Sequence, residues 1–180
     1  MVNLLEIRLY FSLAKIQHDN QMSDRFADIL IRPATNSDAS RIKALVFGVL
    51  AEYGLTPDSQ TTDADLDDIE GNYIKSGGLF ELFENSQGQL LGTVALYRVD
   101  DETCELRKMY LAPGARGQGL GSAILERTIA GARCRGFKYI TLETAGVLKE
   151  AIQLYTRFGF REIESEHLSA RCDQAYVLRL

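Results

Sequence analysis

Four glycines, Gly114, Gly117, Gly119 and Gly121, fall within eight residues between two stretches of different periodicity. Before them, Glu105 to Leu111 alternates like a strand; after them, Ser122 to Cys134 carries apolar residues at helical spacing. A glycine-rich turn that opens a helix leaves backbone N–H groups unpaired at the positive end of the helix dipole, a ready place for phosphate. Arg116 puts a fixed positive charge at the mouth. The stretch therefore predicts a loop that holds a phosphorylated ligand, and the identity of that ligand depends on what surrounds it.

Upstream, Asp28 to Arg32 alternates and stops at Pro33, as a first strand should. Asn36-Ser37-Asp38 can cap a helix whose apolar positions, Ile42, Leu45, Val46, Val49 and Leu50, recur to about Tyr53. Thr62 can cap a second helix, with Leu66, Ile69, Tyr73 and Ile74 on its apolar side and Gly77-Gly78 closing it. The period then changes to two. Leu79 to Glu84, Leu90 to Val99 and Thr103 to Ala112, joined by tight turns, predict an antiparallel meander.

The helix after the glycines ends near Gly136, and Tyr139 to Glu143 is another strand. Strand, crossover helix and strand imply one parallel pair with a right-handed connection. A further helix carries Leu148, Ala151, Ile152, Tyr155 and Phe158, and short strands at Phe160 to Ile163 and Ala175 to Leu178 complete the pattern. The expected fold class is α/β, a mixed sheet that is mostly antiparallel. Residues 28–180 read as a single domain, and residues 1–27 as an N-terminal extension that is either dispensable or packed locally.

Two phosphate-loop patterns are excluded. No Lys-Ser or Lys-Thr follows a glycine, so the P-loop is absent. Gly117, Gly119 and Gly121 give GxGxG rather than GxGxxG, and a dinucleotide-binding first strand is buried on both faces and continuously apolar. Glu105-Leu-Arg-Lys-Met-Tyr-Leu111 is half charged and follows a meander.

Composition narrows the classes further. A net charge of −5 with scattered basic residues argues against a nucleic-acid partner. Three cysteines without CxxC spacing and only two histidines argue against a disulfide framework or a metal centre and suit a reducing, cytoplasmic setting. No apolar run approaches the roughly 18 residues of a membrane span. Leu4 to Phe11 contains Glu6 and Arg8 and lacks a cleavage site, so it does not read as a signal peptide.

Arg116-Gly-Gln-Gly119-Leu-Gly121 resembles the R/Q-x-x-G-x-G/A motif of the GNAT family of N-acetyltransferases. Ala151-Ile-Gln-Leu-Tyr155-Thr-Arg-Phe-Gly159-Phe160 is similar to that family's second signature, A-x-x-L-Y-x-x-x-G-F. The resemblance runs from about Ile29 to Leu180, with the elements in the family's order. It implies the GNAT fold, in which the meander and the βαβ join splay apart to hold acetyl-CoA as acyl donor, without a metal.

Carried onto this chain, the resemblance places the pyrophosphate on the backbone of Arg116, Gly117, Gln118, Gly119, Leu120 and Gly121, with Ser122 opening the helix. The pantetheine arm would pair with Met109, Tyr110 and Leu111, one of whose N–H groups would polarise the thioester carbonyl. Tyr155 holds the family's position for the acid that protonates the departing thiolate. By spacing alone, Tyr155 fits an apolar stripe equally. Glu105 matches a position that several members use as base, with Glu143 as runner-up; a carboxylate paired with Arg107 and Lys108 is the plain alternative.

His167 could approach the acceptor or simply be solvated. Leu148 departs from the Asn that many relatives carry there. The implied reaction is transfer of acetyl from acetyl-CoA to a primary amine of a small molecule or peptide, in a ternary complex. The alternative is a non-catalytic acyl-CoA-binding or regulatory module. Asp63, Asp65, Asp67, Asp68 and Glu70 either complement a helix dipole or attract a cationic acceptor. Exposed strand edges would allow a homodimer.

Overall fold

The computed structural model describes residues 26–165 and 168–180; the N-terminal extension up to residue 25 and His167 lie outside them. Seven strands form one sheet in the order β1-β2-β3-β4-β5-β7-β6. The strands are β1 (Leu30–Pro33), β2 (Leu79–Glu84), β3 (Leu90–Arg98), β4 (Thr103–Leu111), β5 (Tyr139–Thr144), β6 (Arg161–Ile163) and β7 (Gln174–Arg179). Among the described residues three α-helices flank them: α1 (Ala39–Glu52), α2 (Leu120–Cys134) and α3 (Lys149–Arg157). The mixed α/β sheet expected from the sequence is the one observed. Pro33 sits on edge strand β1, where a missing N–H costs no ladder bond.

Each face of the sheet has its own core. On one face α2 and α3 bring Ile124, Leu125, Ile129 and Tyr155 onto Val94, Leu96, Leu106 and Ile140. On the other, Ile42, Val46 and Leu50 of α1 pack with Leu66, Ile69 and Tyr73 onto Phe80, Leu82 and Ala95. The alternation of β3 feeds both cores, Val94 and Leu96 to one and Ala95 to the other.

The second expected helix is not a regular α-helix. Ala64–Asp67 is a 3-10 turn and Glu70–Ile74 a single π turn, although Leu66, Ile69 and Tyr73 are buried as their spacing suggested. Aspartates compete for the backbone here. Asp58 Oδ1 accepts from the N–H groups of Gln60 and Thr61, and Asp68 Oδ1 from Gly71 N–H. The Asp58 bonds lie before the expected helix, and the Asp68 bond lies at the start of the second turn, so the segment runs as two short turns separated at Asp68.

Two irregularities of β4 position the site. Its parallel pairing with β5 covers only Thr103–Tyr139, Cys104–Ile140 and Glu105–Thr141, after which the strands part. On its other edge the register to β3 slips between Thr93 and Ala95, so that β4 carries one extra residue. Lys108 occupies that bulge with φ +52°, unusual for a residue with a side chain. Thr93 Oγ1 donates to the Lys108 carbonyl at 2.7 Å and pins the bulge from inside the sheet.

Candidate active site

The parting of β4 and β5 opens a cleft of about 1190 Å³. Its walls come from β4, the glycine loop, the ends of α1 and β5, α3 and the loop before β7.

At one end the backbone does the work. Gly117 and Gly119 lie at φ +74° and +87°, a region that side chains strongly disfavour. A Cβ on Gly121 would stand 3.3 Å from Leu111 Cδ1, closing the gap between loop and strand. Ala123 N–H donates to Gly119 O at 3.2 Å, so the N–H groups of Leu120, Gly121 and Ser122, one turn earlier, point out of the helix end. The expected helix start at Ser122 moves to Leu120, with left-handed Gly119 as its cap.

The expected positive charge of Arg116 is already engaged. Arg116 Nε donates to Leu111 O at 3.0 Å, and its Nη1 to Glu52 Oε2 at 2.6 Å. The side chain thereby ties α1 and the end of β4 to the loop. Glu52 was not legible as part of this site, because its partner lies 64 residues away.

Met109, Tyr110, Leu111 and Tyr155 all line the cleft. Tyr155 is only 7% exposed, with its ring 5.7 Å from that of Phe160. The core and the cleft readings of Tyr155 therefore both hold. Burial, and secondarily the Tyr110 phenol, pushes its hydroxyl well above the ordinary tyrosine range. Burial also raises the Tyr110 phenol, to about 12, against a smaller opposing effect of Arg171. Leu148 also lines the wall.

The other end is built from charge. Glu105 lines the cleft and accepts from Arg107 Nη2 at 2.5 Å. Arg107 lies over the Tyr97 ring, 4.3 Å from its centroid, with Nη1 3.6 Å from Asp65. Lys108, turned inward by the bulge, donates to Thr62 O at 2.7 Å and Asp63 Oδ1 at 2.8 Å, and its Nζ lies 3.0 Å from Asp65 Oδ1. Arg171 grips Asp63 with both terminal nitrogens, at 2.6 and 2.9 Å. Glu143 instead accepts from the backbone N–H of Ser169 at 2.9 Å.

Asp63 is fully buried. Burial by itself would raise its carboxyl, but the bonds from Arg171 and Lys108 outweigh that and hold it at about 2. The acidic run is therefore not a cluster on one helix, and three of its five acids are ion-paired within the protein. Asp63 and Asp65 are neutralised internally, Asp67 pairs with Lys43 at 2.5 Å, and Asp68 takes N–H bonds from Asn36 and Gly71. Lys108 and Arg171 were missed as site residues. The one available signal was the adjacent pair Arg107-Lys108, which breaks the alternation of β4 and marks the bulge.

A splayed mixed sheet with a glycine-opened helix at the split is the architecture of an acyl-CoA-dependent transferase. The acetyltransferase (GNAT) family model matches residues 49–160, and the chain belongs to that family; it is an acyltransferase. It is 37% identical over 140 residues to the uncharacterized N-acetyltransferase YjgM of Escherichia coli (strain K12), covering 75% of this chain and 83% of that one. Among solved structures it resembles a GNAT-family acetyltransferase of Staphylococcus aureus Mu50, with a TM-score of 0.78 and 26% identity over 84% of this chain and 98% of that one. A GNAT-family acetyltransferase of Elizabethkingia anophelis, solved with acetyl-CoA bound, shares the fold at a TM-score of 0.61 and 21% identity, covering 85% and 99% of the two chains.

Proposed function

We propose that this chain moves an acetyl group from acetyl-CoA to a primary amine, by direct attack with both substrates in the cleft. The observation that carries this reading is the parting of β4 from β5 after Glu105, beside a loop whose glycines leave backbone N–H groups uncovered. The fit is steric as well as electrostatic. Gly117 and Gly119 supply the positive φ angles, and the gap beside Gly121 is one that a Cβ would narrow. The N–H groups from Gly117 to Ser122 hold the pyrophosphate, as a helix N-terminus favours. The edge of β4 from Met109 to Leu111 receives the pantetheine arm as a strand would, and an N–H next to the bulge stabilises charge on the thioester oxygen.

An alkyl ammonium has a pKa of about 10.4, so near pH 7 only about one molecule in a thousand is a free amine. Glu105, oriented by Arg107, takes the acceptor's proton directly or through water. Tyr155, whose environment keeps it protonated, donates to the departing sulfur. The test is thiol release from acetyl-CoA against an amine panel, for wild type and Glu105→Gln. Release that falls about 10²-fold or more in Glu105→Gln supports the base assignment. CoA binding without turnover for any amine would favour a regulatory acyl-CoA-binding module.

A further inference from the structure

The acceptor end carries an alternating chain of charges, Glu105–Arg107–Asp65–Lys108–Asp63–Arg171, each joined to the next by contacts of 2.5 to 3.6 Å. Its two signs are not equally presented. Arg107, Lys108 and Arg171 line the cleft together with Glu105. Asp63 and Asp65 are buried, with side chains 0% and 9% exposed, and so is Lys108 at 3%, its ammonium spent on Thr62 O, Asp63 and Asp65, so that the two guanidiniums are the cations left to face the cleft. What an acceptor meets is thus a wall of both signs, in which Arg107 and Arg171 are the presented cations and Glu105 and Glu143 the carboxylates at this end.

The guanidiniums are also preorganised. Arg107 is held against the Tyr97 ring on one face and spends one bond on Glu105. Arg171 is fixed by Asp63 through one N–H on each terminal nitrogen. An arginine has five donors in a rigid fork, so each keeps N–H groups free to meet a second carboxylate. Asp63 and Asp65 are ion-paired with the protein's own cations, so neither offers an unpaired carboxylate to a polyamine.

We propose that the acceptor is an amine that also bears a carboxylate, as an amino acid or a peptide terminus does, with Arg107 and Arg171 holding that carboxylate and Glu105 facing the amine. This rests on the acetyltransferase reading of the cleft. The fork geometry makes Arg107 and Arg171 specificity-determining residues, and Asp63 and Asp65 the groups that aim them.

The experiment measures thiol release from acetyl-CoA with L-amino acids and dipeptides, with the matching C-terminal amides, and with spermidine. The carboxylate form of a good acceptor should exceed its amide at least about 10-fold in kcat/KM, the worth of a charge-assisted hydrogen bond. Arg107→Gln, altered at the cleft surface, and Arg171→Lys, which keeps the charge on Asp63 but loses the fork, should each collapse that ratio towards one. They should do so by raising the acceptor KM for acids and not for amides, with the acetyl-CoA KM within about twofold; any fall in kcat from loss of the Arg107 bond to Glu105 acts on acids and amides alike and leaves the ratio to report the carboxylate. Amides that work as well as acids, a preference for spermidine, or a ratio unchanged in both variants would overturn the acceptor assignment and leave the transferase reading standing. CoA binding without thiol release for any member would overturn both.

Discussion

At the end of the cleft proposed for the cofactor the atoms offered to a ligand belong to the backbone, whereas at the end proposed for the acceptor they belong to charged side chains. The first end is made by seven consecutive residues, Arg116 to Ser122, and its chemistry is conformational: positive φ at Gly117 and Gly119 and an uncovered helix end. The second is made by three segments far apart in the chain. Asp63 meets Lys108 across 45 residues and Arg171 across 108. Backbone geometry tolerates almost any side chain around it, so the first end suits a cofactor held in common by many enzymes. A buried charge network changes with each substitution, and so suits an acceptor that differs from one enzyme to the next.

The two ends meet at Tyr155, and there the largest effect is expected. Tyr155→Phe should lower kcat by roughly 10² to 10⁴-fold while leaving CoA affinity and melting temperature near wild type. Loss of CoA affinity in step with kcat would instead make Tyr155 part of the binding wall.

Next in size is Asp63→Asn. Removing one partner of a buried ionic cluster costs about 3 to 5 kcal/mol, here by leaving Lys108 and Arg171 undercompensated. For a chain of 180 residues that corresponds to a fall of about 10 °C in melting temperature. A fall of only a degree or two would mean that the network contributes little to the wall.

Acid should show the same network from another side. The Asp63 carboxyl, ordinarily at 3.8, is held at about 2 in the folded chain. Its contribution, about 2 kcal/mol from that difference, is fully present above about pH 4 and is lost as pH falls toward 2. Urea unfolding at pH 6 and pH 3 should therefore differ by more in wild type than in Asp63→Asn. The smallest expected effect is Glu52→Gln at the other end. Its pair with Arg116 is solvent-exposed and worth at most about 1 kcal/mol, so CoA affinity should change by less than about fivefold.

This division also explains which features the sequence made legible. The meander, the βαβ join and the helix after the glycines follow from period changes and glycine placement within short windows, and each is observed, the helix starting two residues earlier than Ser122. The same reasoning failed at residues 62–74. Apolar spacing identified the buried side chains Leu66, Ile69 and Tyr73 but could not register that Asp68, by taking the Gly71 N–H, would start a second, separate turn. Asp63, Asp65 and Glu105 were visible as acids. The pairing of Glu105 with Arg107, two residues on, was legible and is observed, whereas Lys108 and Arg171, the partners of Asp63, lie 45 and 108 residues away from it and are set by the β4 bulge and tertiary contacts.

Calorimetric titration of CoA into wild type and Gly119→Val tests most directly the claim that backbone geometry makes the cofactor end. Gly119 stands at φ +87°, so valine must move the loop off the conformation that exposes its N–H groups. Binding to wild type at one CoA per chain, and its loss in a Gly119→Val protein with an unchanged circular dichroism spectrum, is the expected result. Equal affinity in the two proteins would contradict the account.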